Sequence, residues 1–369
     1  MKVAFLTTDI FAKNGWGCYS REVIQRLPDY GIEPIVLVPK SARTKNFQGI
    51  PVHPVLKAVT SGPPSLKELI KIVWDARKIT KDCQIIHSLV EPYLLLSGLL
   101  AAPNKSNVMT AHGTYAVSIL NEDWKYFYRH FYQSVSLILS VSNYTATQVI
   151  QALPQVEKRI QAVPLGVTIS NQSSSSLPAE EREDAFLMVG HVKARKGTLQ
   201  AVTAMAEVVK KFPRAKLYIA GMVDSKTYIQ KVKQVIQEKG IEDNIIWLGK
   251  VSDDKLSYLY GSVRGLVMPS MNIGGKFEGF GLVHLEANTF GTPAIGSRGC
   301  GNEDAIKDGY SGFLVEQGNI EQLTTAMTKL LDPSFDWQLM SNNALHFAES
   351  MSWSRLASVY AEAYKTMKK

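Results

Sequence analysis

The sequence predicts an α/β protein built as two successive domains, each a parallel sheet covered by helices. Three observations predict it. At 369 residues the chain is long enough for two domains of roughly 100–200 residues each. Residues 2–38 read strand, glycine-containing loop, helix, strand, the βαβ unit that implies a parallel sheet. A second set of apolar strands alternating with helical segments begins at Ala185, after a stretch rich in serine and acidic residues.

In chain order, residues 2–8 are the first strand, 14–17 the loop after it, 19–27 a helix and 35–38 the second strand. The loop carries Gly15-x-Gly17-x-x-Ser20, without the third glycine of a dinucleotide fingerprint. The second strand ends at Pro39-Lys40 with no acid for a ribose, so a nicotinamide enzyme is disfavoured. Residues 65–79 predict a helix with Leu66, Leu69, Ile70, Ile72, Val73 and Trp74 toward a core. Its polar face carries Lys67, Lys71, Arg77 and Lys78, with Lys81 just beyond. That basic face is either simply solvated or a contact for an anionic membrane surface.

Residues 84–87 and 107–114 read as strands that reach His87 and His112. The carboxyl ends of parallel strands are where open α/β sheets bind ligands. His87 is read as a satisfied polar group. Residues 123–132 interleave Trp124, Tyr126, Phe127, Tyr128, Phe131 and Tyr132 with Lys125, Arg129 and His130. Most of these aromatics are expected in the core, because a helix cannot expose so much aromatic surface cheaply. A strand at 137–142 follows, with Ser142 or Asn143 capping a helix over 145–153. These elements make residues 1–167 the first domain, and residues 168–184, which include Ser173 to Ser176, the linker. Strands at 185–190, 215–220, 245–249, 265–269 and 293–296 belong to a second domain over 185–350, and residues 351–369 form a final helix.

Composition narrows the class. Hydrophobic residues at 45% and charged residues at 20% are those of a soluble globular protein. A formal net charge of +8 suits an anionic partner, and nucleic acid is the least favoured one, since no long basic run or nucleic-acid motif is present. Cys18, Cys83 and Cys300 are odd in number and far apart, which fits a reduced cytoplasm and argues against a disulfide framework or a zinc site. Residues 1–17 do not read as a signal peptide, and the apolar run 93–103 falls short of the ~20 residues that span a bilayer.

The stretch with most chemistry is Lys276-Phe277-Glu278-Gly279-Phe280-Gly281-Leu282-Val283-His284-Leu285-Glu286-Ala287. It reads as a tight loop opening a helix, whose glycines and unpaired N–H groups suit an anion, most often a phosphate. A carboxylate beside a phosphate would be repelled, so Glu278 and Glu286 are better suited to neutral hydroxyls on the same ligand. The plainer alternative is a capping Glu and a solvated Glu. Gly190-His191-Val192-Lys193-Ala194-Arg195-Lys196-Gly197 is a second loop, with cations suited to a diphosphate or else merely solvated.

The Glu278/Glu286 pair, with Pro269-Ser270, Leu285-Glu286-Ala287 and Gly291-Thr292-Pro293 around it, resembles the motif of the retaining glycosyltransferases of GT-B fold. This is group 1, or family 4, which includes bacterial lipopolysaccharide and phosphatidylinositol glycosyltransferases. The resemblance implies two Rossmann-like domains facing across a cleft, with the C-terminal helix crossing back to the N-terminal domain. It implies that Gly15 and Gly17 back a donor diphosphate, that His112 lies near the transferred sugar, and that Lys196 contacts phosphate. His191 replaces the usual Arg, and Arg195 is the candidate to take over its contact. Leu165 stands where the family has Asn. Residues 247–251, ending at Val251, with Leu256 and Tyr260, resemble the segment that holds the base. Glu286 would hold ribose hydroxyls and Glu278 sugar hydroxyls, while backbone N–H groups of Phe280, Gly281 and Leu282 meet the diphosphate and Gly279 belongs to the same donor-binding loop. Glu303 fits a Glu of the family or is structural, with Asn302 where Pro is common.

The activity implied is transfer of a hexosyl group from a UDP- or GDP-sugar to a glycan or lipid-linked acceptor, with His112, Glu278 and Lys196 as catalytic residues. No metal and no cofactor are expected, because fixed donors can replace a metal at the leaving group. The setting implied is cell-envelope polysaccharide synthesis in the cytoplasm, with a peripheral contact on the cytoplasmic face of the membrane as a further expectation. Two other classes stay open: a sugar-nucleotide epimerase or glycan phosphorylase, and a non-catalytic GT-B binding protein. The latter would be expected to have lost Glu278, Glu286 or Lys196.

Overall fold

The computed structural model describes residues 1–12, 14–43, 47–61, 64–101, 103–120, 125–169 and 177–367, with Phe127 described by its backbone alone. Trp124 and the serine run 173–176 therefore lie outside the described residues. The chain divides into two compact units, Met1–Gly166 together with Trp353–Lys369, and Val167–Ser352.

The first unit is a seven-stranded sheet of β1 (Lys2–Leu6), β2 (Glu33–Pro39), β3 (Val52–Leu56), β4 (Ile85–Ser88), β5 (Ser106–Ala111), β6 (Leu137–Ser140) and β7 (Ile160–Ala162). Its order is β3-β2-β1-β4-β5-β6-β7, and every pairing is parallel. Helices on both faces explain why the central strands are unbroken apolar runs, with Val3, Phe5, Leu6, Val36, Leu37 and Ile86 fully buried. Both edge strands were missed by the sequence reading. β3 carries Pro54, which an edge tolerates because its missing N–H faces no partner, and β7 is only three residues long.

The predicted loop at 14–17 is instead the first turn of the helix Gly15–Ile24. The Asn14 side chain caps that helix by accepting from the Gly17 N–H. A Cβ on Gly17 would lie 2.6 Å from the carbonyl oxygens of Asp9 and Ala12, so the tight entry admits only glycine.

The helix Leu66–Ile79 starts with a complete capping box between Ser65 and Glu68. Its burial corrects the expectation. Ile72 and Ala76 are buried, but Leu66, Ile70 and Trp74 are 74%, 62% and 64% exposed. These three are spaced by four residues and form a second apolar stripe, which the sheet face beneath cannot cover as well. In the helix Lys125–Ser134, Tyr132 is fully buried and donates to the Ala116 carbonyl, and Tyr128 and Phe131 pack on the core, whereas Tyr126 is exposed. The core expectation thus holds for part of the aromatic stripe. No helix among the described residues is long and apolar enough to cross a membrane.

The last helix, Trp353–Thr366, belongs to the first unit. Leu356, Tyr360 and Tyr364 have no exposed surface. Tyr19 joins Tyr360 at 2.8 Å and Thr110 at 2.9 Å, and His87 joins Tyr364 at 2.5 Å and Thr110 at 3.0 Å. Burial pushes His87 down to about 3, so this network of hydroxyls and one imidazole is neutral.

The second unit is a six-stranded sheet of β8 (Glu183–Val189), β9 (Lys216–Ala220), β10 (Ile245–Gly249), β11 (Val263–Val267), β12 (Ala294–Ser297) and β13 (Gly312–Val315). Its order is β10-β9-β8-β11-β12-β13, again all parallel. Arg182, placed in the linker by the sequence, is buried ahead of β8. It donates to the carbonyls of Val263 and Phe290 and to the Thr292 hydroxyl while lying over the Trp337 ring. One guanidinium thus satisfies several chain ends beneath the sheet.

Replacing Tyr364 tests the seam between the last helix and the first sheet. Tyr364→Phe leaves a fully buried imidazole nitrogen without its partner and should cost about 1–3 kcal/mol. Tyr364→Ala adds a cavity and should cost about 3–5 kcal/mol. Urea unfolding should show both as lower midpoints with an unchanged slope.

Candidate functional site

In the second sheet the strand order reverses between β8 and β11, so the loops leaving their carboxyl ends flank one crevice, the place where open α/β sheets take ligands. The loop after β8 contributes a short turn, Ala194–Lys196, before the helix Thr198–Lys211. Gly197 has φ +73°, and a Cβ there would lie 2.0 Å from the Pro269 carbonyl oxygen. Only glycine lets this loop lie against the chain leaving β11. The Met271 N–H donates to the Arg195 carbonyl and fixes the approach at 2.8 Å.

The two loops meet at Glu278. Its Oε2 accepts from Lys196 Nζ at 2.5 Å, Arg195 Nη1 at 3.0 Å and the Ser270 hydroxyl at 3.4 Å, while Oε1 takes none of these three. The Glu278 side chain is 12% exposed. Burial alone would raise its pKa, but Lys196 and Arg195 outweigh burial and hold the carboxyl at about 2. Two cations on one carboxylate leave a surplus positive charge at the crevice.

A second layer holds the loop from beneath. The Gly301 N–H donates to the Glu278 carbonyl at 2.8 Å. Buried Asn302 donates to the Phe280 carbonyl at 3.2 Å and accepts from the Ser297 N–H at 3.2 Å. Glu303 accepts from the Gly299 N–H, a local cap. The helix Leu282–Asn288 then begins at Gly281, in the left-handed region at φ +88° and without a side-chain cap, so its first N–H groups remain for a ligand. His284 donates from Nδ1 to the Gly281 carbonyl, and burial lowers its pKa to about 4. On the same helix Glu286 accepts from the Tyr260 hydroxyl at 2.9 Å, and Tyr260 stacks on Phe290. Burial raises Glu286, so the two carboxylates of the motif are pushed in opposite directions.

Among the sequence-predicted residues, Arg195, Lys196 and Glu278 therefore come together, with Gly279, Phe280, Gly281 and Leu282 continuing from Glu278 and Glu286 on the helix. His191 does not join them. It pairs with Asp224, which also meets Lys193 at 3.0 Å, and its side chain is 59% exposed. Val251 follows β10, half-buried against the core of this unit.

The remaining candidates belong to the first unit. Gly15 and Gly17 open the first helix, and the Gly17 N–H is already held by Asn14. His112 follows β5. Its Nε2–H donates to the Leu89 carbonyl at 2.8 Å, which makes Nδ1 the acceptor nitrogen, and its ring meets Tyr19 edge-on. Burial lowers its pKa to about 4, so it is neutral. Its backbone N–H donates at 2.6 Å to Glu91, a fully buried carboxyl that burial pushes up to about 7.

Four residues of these sites escaped the sequence reading in their roles: Tyr260 as the partner of Glu286, Asn302 as the lock on the loop, Asp224 as the partner of His191, and Glu91 behind His112. Glu91 had a usable signal, a lone acid in the apolar run Leu89-Val90-Glu91-Pro92-Tyr93.

The depressed pKa of Glu278 fixes the sign of a pH effect. Its contribution to stability is fully present above the ordinary carboxyl value of 4.5 and is lost as pH falls toward about 2. Between those values the denaturation midpoint of the wild type should fall relative to that of Glu278→Gln, and chemical unfolding across the window measures the difference.

Residues 170–347 match the family model of glycosyl transferases group 1, and residues 14–171 that of glycosyltransferase family 4. An uncharacterised glycosyltransferase of Methanocaldococcus jannaschii is 24% identical over 360 residues, covering 94% of this chain and 92% of that protein. The D-inositol 3-phosphate glycosyltransferase of Acidothermus cellulolyticus is 28% identical over 214 residues, 54% of this chain. For that enzyme and another M. jannaschii glycosyltransferase, the match spans 47% of the relative's length. Among solved structures, HepE of Anabaena in complex with UDP superposes with a TM-score of 0.80 at 18% identity, covering 99% of this chain and all of that one. Sucrose-phosphate synthase of Thermosynechococcus elongatus gives 0.75 at 19% identity, covering 100% of this chain and 99% of that one. The two parallel sheets, the Glu278/Glu286 loop and helix, and these matches lead to one conclusion: the chain belongs to the GT-B glycosyltransferases of group 1, family 4.

Proposed function

We propose that the protein transfers a hexosyl group from a UDP- or GDP-sugar to a glycan or lipid-linked acceptor, with retention of configuration and without a metal ion. The observation that carries this reading is the convergence of Lys196 and Arg195 on Glu278 beside an uncapped glycine loop. Such a surplus of fixed positive charge suits a diphosphate that gains charge as it leaves, the logic of an oxyanion hole. HepE was solved with UDP and with UDP-glucose, which puts UDP-sugars first among the donors to try. A cytoplasmic setting, where nucleotide sugars are made, is part of the proposal.

In this reading the diphosphate draws on Lys196 and Arg195 while Glu278 keeps them in place and offers Oε1 to a sugar hydroxyl. Glu286, raised in pKa and oriented by Tyr260, receives the ribose hydroxyls. The bond from the anomeric carbon to the phosphate oxygen breaks, and a bond to the acceptor oxygen forms on the same face. The acceptor proton passes to the departing diphosphate. His112 positions the sugar by accepting a hydroxyl hydrogen at Nδ1, because its Nε2–H is committed to Leu89.

Thermal melting with UDP-, GDP- and ADP-sugars, with and without EDTA, tests the donor. One nucleotide class should raise the melting temperature, by an amount equivalent to about 2.7 kcal/mol at a hundredfold excess over its Kd, and EDTA should leave the shift unchanged. A shift abolished by EDTA and restored by Mg²⁺ would overturn the metal-free part. Lys196→Ala should lower kcat by about 10²–10³-fold, the loss seen when one donor to a developing oxyanion is removed.

His112→Ala separates sugar positioning from nucleotide binding. Transfer should fall while the Kd for the free nucleoside diphosphate stays unchanged, and a parallel loss of both would refute the assignment.

A further inference from the structure

The imidazole of His112 is one step in a file of rings that leads from the interior of the first unit to its surface. Tyr19, only 2% exposed, meets His112 edge-on with 4.5 Å between centroids. Trp16 meets the same imidazole at 6.4 Å, and Tyr115 lies 5.1 Å from Trp16, tilted by 56°. Trp16 stands in the first turn of the helix after β1 and Tyr115 in the short helix Thr114–Ser118 after β5, so both follow the carboxyl ends of parallel strands. The two outer rings take no part in the buried hydroxyl network. Trp16 is half-buried against the core that contains Leu6 and Ile72, and Tyr115 is 57% exposed. Among the described residues neither the Trp16 indole N–H nor the Tyr115 hydroxyl has a hydrogen-bond partner. His112 adds Nδ1 as an acceptor beside them. A ligand that fits must offer an apolar face to the rings and hydroxyls to these polar atoms.

We propose that Trp16 and Tyr115 form the acceptor platform, on which a pyranose ring of the acceptor lies by its C–H face while its hydroxyls meet the indole N–H and the phenol. The axial hydrogens of a pyranose carry slight positive charge, which the negative face of an aromatic ring attracts. Its equatorial hydroxyls point outward, toward polar partners at the rim. Other ligand classes meet only half of this requirement. An open-chain polyol has the hydroxyls without the face, an acyl chain has no hydroxyls, and a nucleobase stacks but brings none either. This role rests on the transfer reaction proposed above, and it narrows the acceptor to a molecule that presents a sugar ring beside His112.

Saturation-transfer NMR on the full chain tests it, without and with UDP. The probes are the methyl pyranosides of glucose, galactose, mannose and N-acetylglucosamine, with glycerol as the open-chain control. At least one pyranoside should receive saturation, strongest at the ring hydrogens of one face, and glycerol should receive none. Tyr115→Ala, a change at an exposed position, should weaken that binding by about tenfold, whereas Tyr115→Phe keeps the ring and should retain most of it. Trp16→Ala should weaken it similarly, and Tyr115→Ala carries the test alone if Trp16→Ala melts early. The Kd values for UDP and for UDP-glucose should be the same in Tyr115→Ala as in the wild type. A pyranoside bound equally by the wild type and Tyr115→Ala, or no pyranoside bound with or without UDP, would overturn the platform. Weaker UDP binding in Tyr115→Ala would put the nucleoside on these rings, and a loss confined to UDP-glucose would put the donor sugar there; either overturns the acceptor role. Failure of the transfer reaction itself would show differently, as a wild type whose melting no nucleotide sugar shifts.

Discussion

A carboxylate that is 12% exposed stays ionised in this protein only because two cations lie on it. Much of the architecture of the second unit serves that contact. The reversal between β8 and β11 brings the two loops to one crevice, Gly197 lets them touch, and Asn302 and Gly301 hold the Glu278 loop from below. The cost of burying three charges is balanced locally, and the surplus of one cation makes the crevice receptive to an anion. The fold itself holds these charges in place, so they are fixed before any ligand arrives.

The first unit solves the opposite problem. Its central network of Tyr19, Thr110, His87, Tyr360 and Tyr364 carries no charge, and every member exchanges hydrogen bonds with another. Satisfied neutral polar groups fix a packing register without the desolvation penalty of ions. His112 borrows that rigidity. Its ring lies on Tyr19, its Nε2 is bound to Leu89 and its backbone to Glu91, so only one nitrogen can face a hydroxyl.

What was legible in the sequence was local. Glu278 to Glu286 is one turn-and-helix segment, and its glycines announce backbone that must approach something closely. Tyr260, Asn302 and Asp224 were not legible in their roles, because each acts on a residue more than 20 positions away that only the strand order brings near. The helix Leu66–Ile79 shows a different limit. Periodicity identified its apolar residues, but the sequence carries no mark for which of two apolar stripes the sheet will cover. β3 and β7 were missed for a third reason: edge strands need little apolar pattern, and Pro54 argues against a strand anywhere but at an edge. At residues 14–17 the reading favoured glycine as loop, whereas Asn14 had already begun the helix.

The membership of Trp353–Thr366 in the first unit has a consequence for how the protein is made. The hydroxyls of Tyr19 and Thr110 and the imidazole of His87 emerge from the ribosome early, yet Tyr360 and Tyr364, which complete their network, follow only after the whole of the second unit. Val167–Ser352 must be translated in between, a delay of roughly 10–40 s at ~5–20 residues per second. Throughout that interval the nascent first unit presents an open seam of apolar and unpaired polar surface. Its closure waits for the helix Trp353–Thr366, so the second unit is made before the first is complete.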